Sequence, residues 1–388
     1  MKRGLRLLIT GLLAVSLVVP AGAFHSHGEA EPPVFAASAW AQPELMAAYE
    51  AGLLIGSYGD PALDYRENIT RIGFCRMLTN YLAAEQNTDL DMLKGMTLRF
   101  LAERDEAGDL RHIFTDCADQ WEEQDAAVGY YLGLIQGKGE GLFDPQGSLT
   151  RQEAAVMLAR AQEILGGDPV QAAAVPAYRD GDAIRDWAAP SVAALQTWQV
   201  MEGREDGAFW PEDPLTVQEC AVLCLRLHEK APVRLEEGNV QPLFSYEQVM
   251  EHLEGIEEES KAVGTGRYKA FQLDGPEASL VRMDWGGSMQ ATSKLYFASR
   301  QGGILFFDIG LCVSFKTLTP SMDLENPRFS ADGKTFFCEV TLAEDSWEYV
   351  HDGADTVQVT THEAGLYHVT VDVATGQTQL TREDLPAR

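Results

Sequence analysis

Positive charge is scarce in this sequence: 30 Lys and Arg stand against 59 Asp and Glu among 388 residues, a formal net charge of −29. Phosphate backbones are bound by cations that neutralise them, so this balance argues against a nucleic-acid partner. No segment gathers the few cations into a docking arm: residues 35–230 hold 15 Lys and Arg against 32 Asp and Glu, and residues 231–388 hold 12 against 25. Cysteine is sparse as well. Six cysteines in a chain of this length make no disulfide framework. They read as small buried hydrophobes, with Cys312 and Cys338 left as a pair that could bridge within a β-rich region. Catalytic signatures are missing too: there is no G-x-S-x-G, no H-E-x-x-H, and no Cys/His pair with an orienting partner. After the N-terminus no run reaches the roughly 18 apolar residues of a membrane span.

The N-terminus is different in kind. Lys2, Arg3 and Arg6 precede an apolar run from Leu7 to Val19, and Pro20 and Ala21-Gly22-Ala23 follow. This is the order of a secretory signal peptide, 1–23, with cleavage after Ala23; the alternative is an uncleaved anchor. The expectation is a secreted chain with no membrane contact after cleavage.

Three segments of the chain repeat. Trp40 to Gly56, Trp121 to Gly137 and Trp187 to Gly203 are each 16 residues apart. A Thr follows each Gly, at 14 residues for Thr70 and 13 for Thr150 and Thr216. Repeats at a fixed period mean stacked units. Each unit reads as helix, loop, helix, the first helix ending at the repeated Gly as a C′ residue and the second capped by the Thr. Glu153 and Glu219 complete capping boxes, and Gly73 stands at that position in the first copy. Apolar positions coincide at Phe74, Ala154 and Cys220, and again at Leu78, Leu158 and Cys224. One such unit cannot bury its apolar face alone, so the three pack together. The copies occupy 35–82, 113–166 and 177–230, with a helical insertion at 83–112 that carries a helix over 90–106.

The combination Phe-x-Asp, Trp, Gly, Phe-x-Pro and Thr-Arg-x-Glu, best kept in "FTDCADQW…LIQG…FDPQGSLTRQE" (114–153), resembles the S-layer homology module of bacterial surface proteins. The resemblance implies an all-α, pseudo-threefold helical domain. In that family, grooves between modules bind secondary cell-wall polysaccharide non-covalently, often a pyruvylated amino sugar, and the motif Arg is a principal contact. That role falls on Arg151 and, in "TRIG", on Arg71; Val217 replaces the Arg in the third copy. Asp116 and Asp180 fill the Phe-x-Asp position, which the first copy lacks. A planar guanidinium fork suits a carboxylate, and a helix N-terminus offers it free N–H groups. Trp40, Trp121 and Trp187 have two readings. Trp at such a helical position is more often core; the alternative is a sugar-binding wall, taken by Trp121 and Trp187. No metal or cofactor is expected. Cys220, Cys224 and His228 share a helical face, but eight residues of helix rise about 12 Å, too far for one ion.

Residues 231–244 read as a linker, and 245–388 as one leading helix (245–264) followed by an antiparallel β-rich domain, a twisted sheet or small sandwich. Strands are expected at 268–274, 279–285, 294–300, 303–309, 312–318, 334–340, 357–363 and 366–373, with hairpin turns at 330–335 and 374–378. The chain is thus α + β and multidomain. The leading expectation is a non-enzymatic protein of the bacterial cell surface, anchored through its repeats to cell-wall polysaccharide. The alternatives are a wall-polysaccharide hydrolase with its chemistry in 245–388, and a degenerate scaffold that binds a protein partner.

Overall fold

The computed structural model describes residues 33–54, 56–60, 62–101, 113–170, 178–233, 240–263, 267–286, 291–307, 309, 324–342, 345–352 and 355–385. The leader at 1–23, the strand expected at 312–318 with Cys312, and parts of the insertion and linker lie outside them.

The α + β reading is correct. Up to residue 263 the described elements are helices: α1 (Gln42–Glu50), α2 (Arg71–Glu85), α3 (Leu90–Met96), α4 (Gln120–Leu132), α5 (Arg151–Ile164), α6 (Ala189–Thr197), α7 (Val217–Lys230) and α8 (Tyr246–Val263). The repeats supply α1 and α2, α4 and α5, and α6 and α7. Thr70, Thr150 and Thr216 cap the second helices as expected, each accepting from the backbone N–H three residues on. Phe74, Ala154, Cys220, Leu78, Leu158 and Cys224 are all buried.

The helices of one repeat do not pair with each other. Instead α4 packs on α2, α6 on α5, and α1 on α7, so each first helix lies on the second helix of the preceding repeat and the last closes on the first. The centre of this ring is made of backbone. Ile69 N–H donates to Leu215 C=O at 2.9 Å, Leu149 N–H to Ile69 C=O at 3.2 Å, and Leu215 N–H to Leu149 C=O at 3.0 Å. Those three side chains are buried. Directly after them, the first two N–H groups of each second helix donate to the loop of the next repeat: Arg71 to Gly147 and Ile72 to Pro145, Arg151 to Asp213 and Gln152 to Pro211, Val217 to Glu67 and Gln218 to Tyr65.

The repeated Gly is not a helix C′ residue. The helices end five to six residues earlier, and the left-handed residues Gly52, Gly133 and Gln199 each stand four before the repeated Gly. What Gly137 and Gly203 provide is space: a Cβ on either would stand 2.6 Å from the ring of Phe114 or Tyr178. The first copy also has a leading aromatic after all. Phe35 meets Tyr65 at 5.3 Å between ring centroids, matching Phe114 with Phe143 (5.2 Å) and Tyr178 with Phe209 (5.4 Å).

The insertion forms α3 and then a π-helical turn, Thr97–Leu101; the rest of the helix expected over 90–106 lies outside the described residues. Asp89 caps α3 and also binds Lys294 Nζ (3.0 Å) and the Tyr296 hydroxyl (2.6 Å). Those partners belong to the first sheet, a meander of β1 (Arg267–Asp274), β2 (Ala278–Gly286), β3 (Ala291–Ser299) and β4 (Ile304–Phe307). A second sheet runs β10 (Thr378–Glu383), β9 (Gly365–Asp372), β6 (Thr335–Leu342), β5 (Glu325–Phe329), and β7 (Ser346–Asp352) pairs with β8 (Asp355–His362). The sandwich expected as one alternative is present, and its first sheet is buried on both faces. Leu280, Phe297 and Leu305 face Phe336, Val369 and Val371 of the second sheet; Val281, Tyr296 and Phe306 belong to the same core as the repeats. Period-two alternation places these sets on opposite faces.

His252 of α8 is buried where α8 meets the insertion, against Gly95 and edge-on to Phe100. Burial, aided by the Arg99 charge, pushes its pKa down to about 4. It is therefore neutral when folded, while an unfolded histidine titrates near 6.5. Its stabilising contribution is complete above pH ~6.5, is lost as pH falls through the window towards 4, and changes no further below it. Urea unfolding of wild type and His252→Leu at pH 7 and pH 4 should show the difference between the two proteins shifting by roughly 3 kcal/mol against wild type at the lower pH. A constant difference would mean that His252 does not titrate abnormally.

Candidate functional site

Two grooves run between repeats, and each draws on all three. The first, about 400 Å³, has Arg71 from the first repeat, Glu153, Val156, Met157 and Arg160 from the second, and Trp187 from the third. The second, about 170 Å³, has Arg151 from the second repeat, Glu219, Val222, Leu223 and Arg226 from the third, and Trp40 from the first. Apart from their size, the two are the same site one repeat apart. Arg71 matches Arg151, Glu153 matches Glu219, Arg160 matches Arg226, and Trp187 matches Trp40.

The motif arginines sit at the base of these grooves and are 7% and 8% exposed. Arg71 Nε donates to Phe143 C=O at 2.9 Å, its Nη1 meets Glu153 Oε1 at 2.6 Å, and its Cζ lies 4.9 Å from the centre of the Phe143 ring. Arg151 Nε donates to Phe209 C=O at 2.8 Å, its Nη2 donates to Glu202 C=O at 3.0 Å, and its Cζ lies 5.0 Å from the Phe209 ring centre. Burial, with the nearby Arg204 charge, lowers the Arg151 pKa, though a guanidinium stays charged at any ordinary pH. Each motif arginine thus clamps the Phe-x-Pro loop of the next repeat.

Asp116 and Asp180 clamp the same loops from within their own repeat. Asp116 accepts from the N–H groups of Phe143 and Asp144, and Asp180 from those of Phe209 and Trp210. Amide donors to its carboxylate hold the Asp116 pKa low even though desolvation opposes them. The expectation of free N–H groups at the helix starts is overturned: backbone carbonyls take the first two, and the capping Thr takes the third. The core reading of the tryptophans is overturned as well. Trp40, Trp121 and Trp187 are 52%, 70% and 56% exposed.

Arg160 and Arg226 are groove residues that the motif does not contain. Both stand ten residues after the capping Thr, where the first repeat has Asn80. That shared offset was the available signal. An Arg on a helix usually reads as solvated, which hid it.

The third groove keeps its Trp, Trp121, but is changed at the other corresponding positions. Val217 replaces the motif Arg. Gly73 replaces the capping-box Glu, and the Tyr58 hydroxyl takes its space and donates to Gly73 C=O at 2.8 Å. Arg76 on α2 and Lys94 on α3 both bind Asp125, one turn along α4 from Trp121. The insertion is therefore docked on α4 near the position equivalent to the two grooves. Elsewhere, Cys220 and Cys224 are core residues, and His228 Nδ1 lies 2.6 Å from Glu85 Oε1.

Residues 116–155 match the family model of the S-layer homology domain. The chain carries an S-layer homology domain. It is 26% identical over 225 residues to an endoglucanase of a Bacillus strain, covering 57% of this chain and 21% of that protein. It is 30% identical over 117 residues to the cellulosome-anchoring protein of Acetivibrio thermocellus, covering 30% of this chain and 25% of that protein. It is 30% identical over 90 residues to the S-layer protein sap of Bacillus anthracis, covering 23% of this chain and 10% of that protein. The chain therefore spans a quarter or less of each relative's length. The domain places the chain among cell-surface proteins, and no described helix is long and apolar enough to cross a membrane.

Arg71→Ala and Arg151→Ala should each cost about 2–4 kcal/mol in thermal or urea unfolding, because buried loop carbonyls lose charged donors. A loss below about 0.5 kcal/mol would show that the guanidiniums do not hold the loops.

Proposed function

We propose that this protein is held non-covalently to bacterial cell-wall polysaccharide through the two equivalent grooves, and that residues 245–388 are the part it displays at the surface. The three repeats at 35–82, 113–166 and 177–230 act as one anchoring unit. The observation that carries this reading is the exposure of Trp40 and Trp187, each on the wall of a groove with an arginine at its base. Exposed indole is costly to leave in water and suits the flat apolar face of a sugar ring; aromatic side chains combine such a face with a polar handle. Arg71 and Arg151 contribute as fixed positive charges beneath the groove, with one edge of the guanidinium committed to the loop. Asp116 and Asp180 contribute by fixing the loops. Trp121 is exposed too, but its groove is filled, so we assign it no ligand. Two sites on one chain also provide avidity towards a repeating polymer.

The hydrolase reading draws on the relatives' names. Within the sandwich, some carboxylates meet cations, as Asp284 does with Arg282 and Asp274 with Arg300, and others accept from hydroxyl or amide groups, as Glu325 does from Thr341 and Asp332 from Ser330. Glycoside hydrolysis uses two carboxyl groups facing each other across a bound sugar, so anchoring is the better-supported reading.

Co-sedimentation with purified sacculi tests it. Trp40→Ala with Trp187→Ala should weaken retention about tenfold or more, the scale of losing buried aromatic anchors. Trp121→Ala, equally exposed, should retain wild-type binding. Equal loss from all three substitutions, or none from the pair, would refute the two-groove assignment.

A further inference from the structure

The junction between the insertion and α8 is built by an exchange of glycines. A Cβ on Gly95 of α3 would stand 3.0 Å from Cε1 and Nε2 of His252, and a Cβ on Gly255 of α8 would stand 1.9 Å from Nη1 of Arg99. Each side therefore offers bare backbone to an ionisable side chain of the other: His252 seats on α3, and Arg99 of the π-helical turn seats on α8. His252 is 5% exposed, and its Nδ1 is buried with no hydrogen-bond partner among the described residues. A neutral imidazole can leave one nitrogen as an unused acceptor, but an imidazolium makes both nitrogens donors. Protonation would thus add a buried donor without an acceptor, and a second positive charge beside Arg99. The other charges around the seat are committed. Arg99 meets Glu251 of α8 at 3.5 Å, Lys269 of β1 meets Glu254, and Lys94 of α3 is turned to Asp125. Asp89 is the carboxylate that favours a charged His252, and it already holds the Met92 N–H, Lys294 of β3 and the Tyr296 hydroxyl. Burial and Arg99 together outweigh it.

We infer that this junction is an acid-sensitive latch: protonation of His252 parts α8 from the insertion while the ring of repeats stays folded. The opening is local because the circuit of Ile69, Leu149 and Leu215 is made of backbone groups that do not titrate. Its effect reaches further, because α8 leads into β1 and packs on β1 and β3 as well as on α3. The latch therefore sets how firmly the sandwich is held against the repeats. A chain at the cell surface meets the pH of its medium, so the junction responds to the surroundings directly. The latch is independent of what the grooves bind. With the docked His252 pushed down to about 4 and a released one titrating near 6.5, the closed form keeps its full advantage above pH ~6.5. It loses about a hundredfold of that advantage between pH 7 and pH 4.

The test is amide hydrogen exchange of the full chain at pH 7 and pH 4, read by mass spectrometry as protection factors so that the intrinsic pH dependence of exchange is divided out. Such protection reports local opening segment by segment. Peptides from α3 and α8 should lose about a hundredfold in protection at pH 4, while those from α5 and α7 keep theirs. His252→Gln, which is neutral at both pH values, should protect α3 and α8 equally at the two. Arg99→Gln keeps His252 and removes the neighbouring charge, so its acid loss should be several-fold smaller than that of wild type; this variant decides the matter if His252→Gln does not fold. A wild type equally protected at both pH values overturns the latch. So does an acid loss that persists in His252→Gln, which would belong to Asp89 or another carboxylate, or one unchanged in Arg99→Gln. Loss of protection in α5 and α7 together with α8 also overturns it, because the chain would then be unfolding as a whole.

Discussion

The helical half depends on a closed circuit of three backbone hydrogen bonds, in which Ile69, Leu149 and Leu215 each donate to one neighbour and accept from the other. No two of the three segments can complete it. Removing one leaves a buried donor and a buried acceptor unpaired, and such groups are costly to bury. The same segments carry the capping Thr residues, so the circuit also fixes where α2, α5 and α7 begin. The first two N–H groups of each helix, unsatisfied within any helix, are then met by the following repeat. The repeat is therefore a unit of sequence but not of folding: every copy is completed by another, and the first helix of each packs on a helix that is not its own.

That constraint decides what the grooves can use. Because the helix starts are capped inside the ring, their first N–H groups are already paired, and the grooves present side chains instead. The motif Arg extends from the first helical position across to the Phe-x-Pro loop of the next repeat, while the Asp of Phe-x-Asp grips that loop from the other side. These two anchors hold each loop against an aromatic pair, and the Gly at 137 or 203 is small because the leading ring lies against it. The motif is thus chiefly a description of how the loop is held. The parts of each groove that the loop does not engage are the Trp wall and the helix face further on.

Much of this was legible once the repeats were aligned. The capping Thr, the capping boxes and the buried positions on α2, α5 and α7 follow from spacing alone, because capping and period are local. The cyclic exchange of partners was not legible, since a helix–loop–helix pattern is equally consistent with a hairpin. The tryptophans misled because hydrophobicity favours burial, and only the assembled groove shows what keeps them outside. In the sandwich, β1 to β4, β6, β8 and β9 coincide with apolar or β-branched runs. The strands missed include β5 and β10, the two edges of the second sheet, where one face is enough and the sequences "ENPRF" and "TQLTRE" are largely polar. Pro327 is tolerated there because an edge strand has an unpaired side.

The unequal repeats follow from the same geometry. A third groove would need an Arg on α7, a Glu on α2 and an open approach past α4. Instead, Val217 and Gly73 remove the first two, and α3 closes the third through Lys94 and Asp125. The insertion then continues outward: Asp89 caps it and binds Lys294 and Tyr296 of β3, while α8 packs on its other side. One face of the first sheet thereby joins the core of the repeats. The insertion thus both occupies the third position and carries contacts to the sandwich. The surface equivalent to the two grooves instead meets the insertion, and the two remaining grooves, each built from all three repeats, keep their Arg, Glu and Trp.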